Sequence, residues 1–255
     1  MNVFFYLIIF LLGLCVGSFL NCIIYRLEKE ENFFRGRSYC PKCRTQLGFF
    51  DLVPVLSFIF SKGKCRYCAQ KISFQYPLVE FFTGLIFVLI VFQYSSQHFL
   101  YLIYLLIISS FFIIIFIYDL KHYLIPTKII YWAIVITLIF NFQFLISKQF
   151  SIFNSTIISA AGIGLFFWLI VLISKEEWLG LGDIKLALLL GLFLGFPKIL
   201  LALFSAFLIG AIIGLILIFL GKKQLKSQIP LAPFLITGTF LALFWGEKII
   251  EWYLK

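Results

Sequence analysis

Apolar runs of membrane-spanning length alternate with short polar breaks along nearly the whole chain. They lie at 3–25, 77–93, 99–118, 129–146, 152–173, 184–196, 199–220 and 231–250. A bilayer core about 30 Å thick takes roughly 20 apolar residues of α-helix, each rising about 1.5 Å. The pattern predicts an all-α polytopic membrane protein of about eight transmembrane helices. The run at 184–196 is the shortest and closes on Gly195-Phe196-Pro197, so a short, tilted or partly re-entrant helix is expected there. One polar stretch, 26–75, is long enough to be a folded unit. The chain divides into a first transmembrane helix (1–25), a polar insert (26–75) and a membrane core (76–255). The first run has no basic lead-in, and Leu14 before Cys15 does not suit a lipoprotein cleavage site, so a retained span is expected.

Composition agrees on the solvent. Of the 255 residues 63% are hydrophobic and 13% charged, about half the charged share of an ordinary soluble domain. Such a chain cannot clothe a surface in water. The net charge of +10 raises the question of nucleic acid, but the cations lie in loops and form no basic stripe on a nucleic-acid fold, so no nucleic-acid partner is expected. Their distribution is that of membrane orientation. With the insert on the cytoplasmic side, alternation over eight crossings puts 17 of the 21 Lys and Arg on that side and 4 opposite. That split predicts both termini outside.

Within the insert, Cys40-Pro41-Lys42-Cys43 and Cys65-Arg66-Tyr67-Cys68 form two CxxC pairs separated by 21 residues. Each pair can fold as a knuckle presenting two thiolates, and two knuckles supply the four sulfurs of a tetrahedral zinc site. A reducing cytoplasmic face disfavours disulfides. Four protein ligands leave no open coordination position, so the expected zinc is structural. Cys15 and Cys22 have no matching partners and read as packing residues.

Most of the 11 acidic residues lie in the insert, in loops or at the C-terminal edge. Glu80, Asp119 and Asp183 instead adjoin or enter apolar runs, where a carboxylate carries a cost. The predicted topology puts Asp119, in Tyr118-Asp119-Leu120, and Asp183, in Gly180-Leu181-Gly182-Asp183, at the same boundary. Two carboxylates at one depth tend to share a proton. The ionised member can activate water while the protonated one polarises a carbonyl, which predicts a bell-shaped pH dependence. Gly180 and Gly182 would let the backbone approach an extended peptide. The plainer reading is that Asp183 caps a helix. A proton relay for transport uses the same acids and stands as an equal alternative on spacing alone.

The order of motifs resembles the prepilin peptidase (type IV leader peptidase) family of GxGD membrane aspartic peptidases. The likeness runs from Gly17-Ser18-Phe19-Leu20-Asn21 and Ile24-Tyr25-Arg26, through both CxxC pairs and Asp51-Leu52-Val53-Pro54-Val55-Leu56-Ser57, to Tyr76-Pro77-Leu78-Val79-Glu80. It continues with Asp119-Leu120, Ile125-Pro126, residues 180–185 and residues 230–234. It implies catalytic roles for Asp119 and Asp183 and zinc on Cys40, Cys43, Cys65 and Cys68. It further implies prepilin or pseudopilin substrates, cut after a glycine at the cytoplasmic edge of the inner membrane. Many members also methylate the new amino terminus from S-adenosylmethionine. The chain departs from the family at Thr127, at Trp178-Leu179 and at Phe49-Phe50. It lacks a soluble methyltransferase's glycine-rich loop, so its donor-binding residues stay unassigned. Presenilin-type peptidases share the GxGD motif but not the N-terminal motif or the insert.

Other residues have structural expectations. Gly13, Gly17 and Asn21 share one face of the first helix, and Gly210 and Gly214 pair in the seventh, which predicts close helix packing. Glu80 is expected to pair with a basic residue. His122 reads as interfacial, and Lys185 is expected to snorkel to lipid headgroups or act on Asp183. The basic insert is expected over membrane lipid.

Overall fold

Lipid offers no partner to a backbone N–H or C=O, so a spanning segment must satisfy its own, and this chain does so with helices. The computed structural model describes residues 3–253 apart from 33–35, 96, 147–149, 178, 223 and 225–227. Trp178, and Arg35, Lys148, Lys223, Lys226 and Lys255 of the charge count, lie outside the described residues. Among these there is no strand, only two isolated bridges in the insert.

The helices are α1 (Val3–Glu28), α2 (Leu56–Phe60), α3 (Gln75–Tyr94), α4 (Phe99–His122) and α5 (Thr127–Ile146). They are followed by α6 (Phe150–Ser174), α7 (Leu181–Leu194), α8 (Lys198–Phe219) and α9 (Ala232–Tyr253). Each apolar run became one helix with ends within a few residues of expectation. Six of them, α1, α3, α4, α6, α8 and α9, are long and apolar enough to cross a membrane. The protein is a multi-pass membrane protein. The count of eight crossings is not reached by length alone, because the apolar stretch Thr127–Gln143 of α5 and the 14-residue α7 are both shorter than the six.

The chain forms two compact units, Met1–Ile114 and Ile115–Lys255. In the first, α1 and α3 pack backbone to backbone. A Cβ on Gly13 would stand 2.6 Å from the Gly84 Cα, and one on Gly17 2.6 Å from the Glu80 Cα. Asn21 Nδ2 donates to the Tyr76 carbonyl at 3.0 Å across the same seam. Glu80, 7% exposed, differs from expectation. Its carboxylate accepts the Val55 N–H at 2.7 Å and the Ser18 hydroxyl rather than meeting a basic side chain. A charge-assisted bond to a fixed backbone donor satisfies a buried carboxylate as well as a flexible cation would, without burying a second charge. Val55 has φ +60°, rare for a β-branched residue, so the bond holds a strained turn of the insert against the helix pair.

In the second unit α7 packs on α5, α6, α8 and α9, with Leu186, Ala187, Leu189, Leu190 and Leu192 buried. Its 14 residues rise about 21 Å, short of a bilayer core. A helix wrapped in protein need not match lipid thickness. Gly195 stops it at φ +65°. The freed backbone groups are taken up by Asn141 Nδ2, donating to Leu192 O at 2.8 Å, and by Ser155 Oγ, accepting the Phe196 N–H at 3.2 Å. Between α8 and α9 the close approach is at Gly238, against the Ala202 carbonyl and Ala206. Gly210 and Gly214, expected to close a helix contact, have ordinary side-chain neighbours in Phe234 and Ile229.

Candidate active site and metal centre

In the first unit the two CxxC segments fold the same way. Cys40 N–H donates to Thr45 O and Arg44 N–H to Cys40 O; Cys65 N–H donates to Gln70 O and Ala69 N–H to Cys65 O. Arg44 and Ala69, each four residues past the first cysteine, both have positive φ, and the bridges Tyr39–Gln46 and Lys64–Lys71 close the two loops at matching positions. The sequence therefore builds one knuckle twice. All four Sγ atoms lie within 4.8 Å of one another. Cys40 Sγ and Cys68 Sγ are 3.9 Å apart, far beyond a disulfide bond and close to the edge of about 3.8 Å that a tetrahedron with Zn–S bonds of about 2.3 Å requires.

The thiols are in electrostatic conflict without a cation. Hydrogen bonding to the Thr45 side chain and backbone lowers Cys43 to about 6, and the Cys68 backbone lowers Cys65. Cys68, although the Gln70 backbone favours its thiolate, is pushed up to about 11 by burial and the neighbouring sulfurs. A dication among them removes that conflict. The donor set is compatible with zinc.

Beside the first knuckle, an open basin of about 600 Å³ lies against the last turn of α1. Arg26, Lys29, Arg37 and Arg44 line it, with Glu31 as its acidic member.

In the second unit the site is built from helix ends. Asp119, in the last turn of α4, is 5% exposed, and its Oδ2 accepts the Ala232 N–H at 3.1 Å. Ala232 is the first residue of α9, so the carboxylate sits where that helix presents unpaired donors and positive dipole. Asp183 is in the first turn of α7; its Oδ2 accepts the Gly180 N–H at 3.0 Å and its own N–H donates to Gly180 O at 3.0 Å. The capping role is therefore real, and it orients the carboxylate. The starts of α7 and the α4–α5 turn meet where a Cβ on Gly182 would come 3.1 Å from the Ile125 Cβ. The spare room at Gly182 thus faces the chain itself, while Gly180 is exposed. Asp119 lies three residues before the end of α4 and Asp183 is the third residue of α7, so the corner gathers the helix ends that carry the two acids.

Sequence reasoning assigned no role to the start of α9, whose Ala232 N–H meets Asp119. The signal was present in Pro233, a residue suited to the first turn of a helix. Lys185 Nζ stands 5.0 Å over the Tyr131 ring centroid, a cation–π contact that neither expected role for it foresaw. His122 lies exposed against Tyr118, ring centroids 4.5 Å apart.

Two family models match the chain, the Bacterial Peptidase A24 N-terminal domain over residues 11–94 and the Type IV leader peptidase family over 106–215. A Legionella pneumophila protein is 33% identical over 98% of this chain and 95% of its own, and one from Bacillus subtilis 34% identical over 97% of each. This chain belongs to the type IV leader peptidase family. Another member, from Aeromonas salmonicida, is 30% identical over 97% of this chain and 93% of its own. All three relatives carry the name prepilin leader peptidase/N-methyltransferase. No solved structure matches.

Proposed function

We propose that this leader peptidase family member is a membrane aspartic endopeptidase that removes the leader peptides of type IV prepilins or pseudopilins, with Asp119 and Asp183 as its catalytic pair. The observation that carries the reading is the corner of the second unit. Two acids from separate helices stand there, and each has one oxygen held by a backbone N–H at a helix start. Fixing Oδ2 leaves the other oxygen of each carboxylate to water and substrate. The ionised acid takes a proton from water as its oxygen adds to the scissile carbonyl carbon. The protonated acid donates to the carbonyl oxygen, and the C–N bond then breaks with a proton passing to the leaving amine. Backbone donors that do not reorient during the reaction favour this charge movement.

The site belongs at the cytoplasmic boundary of the inner membrane, an orientation supported by the 17-to-4 charge split over eight crossings. Cys40, Cys43, Cys65 and Cys68 hold a structural zinc that folds the insert, a segment with little apolar core. Methylation of the new amino terminus from S-adenosylmethionine belongs to the same proposal, supported by the names of the relatives. That donor carries net positive charge, and among the described residues the basin beside α1 is lined by four cations and one acid. The basin does not suit it, and no step is assigned through it. The alternative proton-relay transporter draws no support from these relatives.

Purified protein in lipid nanodiscs, given a synthetic prepilin peptide in ¹⁸O-water, tests the reading. Cleavage after the leader glycine, with ¹⁸O in the new leader carboxyl group, is the expected result. Proton flux in vesicles without peptide cleavage would contradict it. Labelled methyl donor in the same mixture reads the second activity.

A further inference from the structure

The insert begins where α1 ends and ends where α3 begins, and both helices are long and apolar enough to span a membrane. It therefore starts and finishes at one bilayer face. Between residues 26 and 75 it carries ten Lys and Arg against four acids, and part of that charge is gathered into a shape. The basin at the end of α1 has Arg26 and Lys29 on the helix side and Arg37 and Arg44 on the knuckle side. Arg26 is 6% exposed and aims its guanidinium at the Gly36 carbonyl, 2.8 Å away, which holds the far wall in place. The one lining acid, Glu31, already accepts the Tyr39 hydroxyl at 2.6 Å. Tyr39 in turn sets its ring edge-on to Tyr25 of α1, centroids 5.9 Å apart.

We infer that this basin holds the phosphate of an anionic phospholipid, bound at the membrane edge between α1 and the first cysteine knuckle. Charge selects an anion: Arg26 is committed to the Gly36 and Asn32 carbonyls, and Lys29, Arg37 and Arg44 line the same space, a set of cations that suits phosphate oxygens. Location selects the lipid, because the basin opens at the foot of a spanning helix. The same insert exposes Phe49, Phe60 and Phe74 at 82%, 81% and 71%, and Phe74 directly precedes α3. Aromatic rings of this kind sit at headgroup level. The inference rests on the membrane topology and not on the peptidase reading.

The test uses delipidated full-length protein with zinc bound and no substrate, titrated with phosphatidylglycerol or phosphatidylcholine and read by native mass spectrometry. The variant is Lys29→Gln/Arg37→Gln/Arg44→Asn; asparagine is chosen because position 44 has φ +54° and tolerates it. Wild type is expected to bind phosphatidylglycerol at least tenfold more tightly than phosphatidylcholine, and the variant to lose that preference while keeping one zinc per chain. Equal binding of both lipids by wild type, or an unchanged preference in the zinc-loaded variant, overturns the proposal. Displacement of phosphatidylglycerol by millimolar inorganic phosphate would make the basin a site for free anions and overturn the lipid assignment. A variant that loses zinc is replaced by Arg37→Gln alone, for which a smaller loss of the same preference is expected and an unchanged one counts against the proposal.

Discussion

Ala232 meets Asp119 with its backbone, so its own side chain says nothing about the contact. Proline there removes the N–H yet suits the first turn of a helix. Ala232→Pro should cut cleavage about tenfold or more, the order expected for a lost charge-assisted hydrogen bond, with little change in helix content or melting temperature. Unchanged kinetics would show that the bond does not matter to the reaction. Glu80 tests the other unit. Glu80→Leu strands the Val55 N–H at a cost of about 1–3 kcal/mol and should speed amide exchange across residues 53–60, whereas Glu80→Gln keeps an acceptor and most of the protection. At this scale the sequence was legible wherever a residue type is costly in its setting. An acid beside lipid and a pair of close cysteines both announce themselves. Partners supplied by the backbone do not, which is why Glu80 was expected to find a cation and found Val55 instead.

Among the elements, apolar length predicted every long helix, since in lipid a run of that length has no other structure open to it. The shortness of α7 was legible too, because Gly195 and Pro197 punctuate it. What wraps α7 depends on packing between distant segments, and the glycines show how partial the signal is. Gly13 and Gly17 close a helix seam, whereas Gly210 and Gly214, equally spaced, have ordinary side-chain neighbours. Gly13→Leu should therefore force α1 from α3, with a loss of about 1–3 kcal/mol seen as a lower melting temperature. Gly214→Leu should cost much less. Equal losses would mean that the seam is not where the structure puts it. The two knuckles predict one zinc per chain by metal analysis. Cys43→Ser should lower that content and open the insert to protease. Acid should release the ion, because protons compete for the thiolates as pH falls. Full zinc content in Cys43→Ser would contradict the four-sulfur site.

The whole molecule joins a cysteine-knuckle insert and a helical core in one chain, and the sequence showed both as a contrast of composition. It also showed the order of motifs that the family shares. It did not show that Asp119 would be steadied by a helix start, since that contact brings the end of α4 to the start of α9, 113 residues away in the chain. The central claim is that Asp119 and Asp183 act as one unit on a water molecule. Single-turnover cleavage of a prepilin peptide by Asp119→Asn, Asp183→Asn and the double variant, each checked for zinc content and melting temperature, tests it most directly. Each single variant should lose about 10²–10⁴-fold or more in rate, and the double variant should be little worse than either, because partners in one mechanism are not additive. A well-folded single variant that cuts at the wild-type rate would contradict the account.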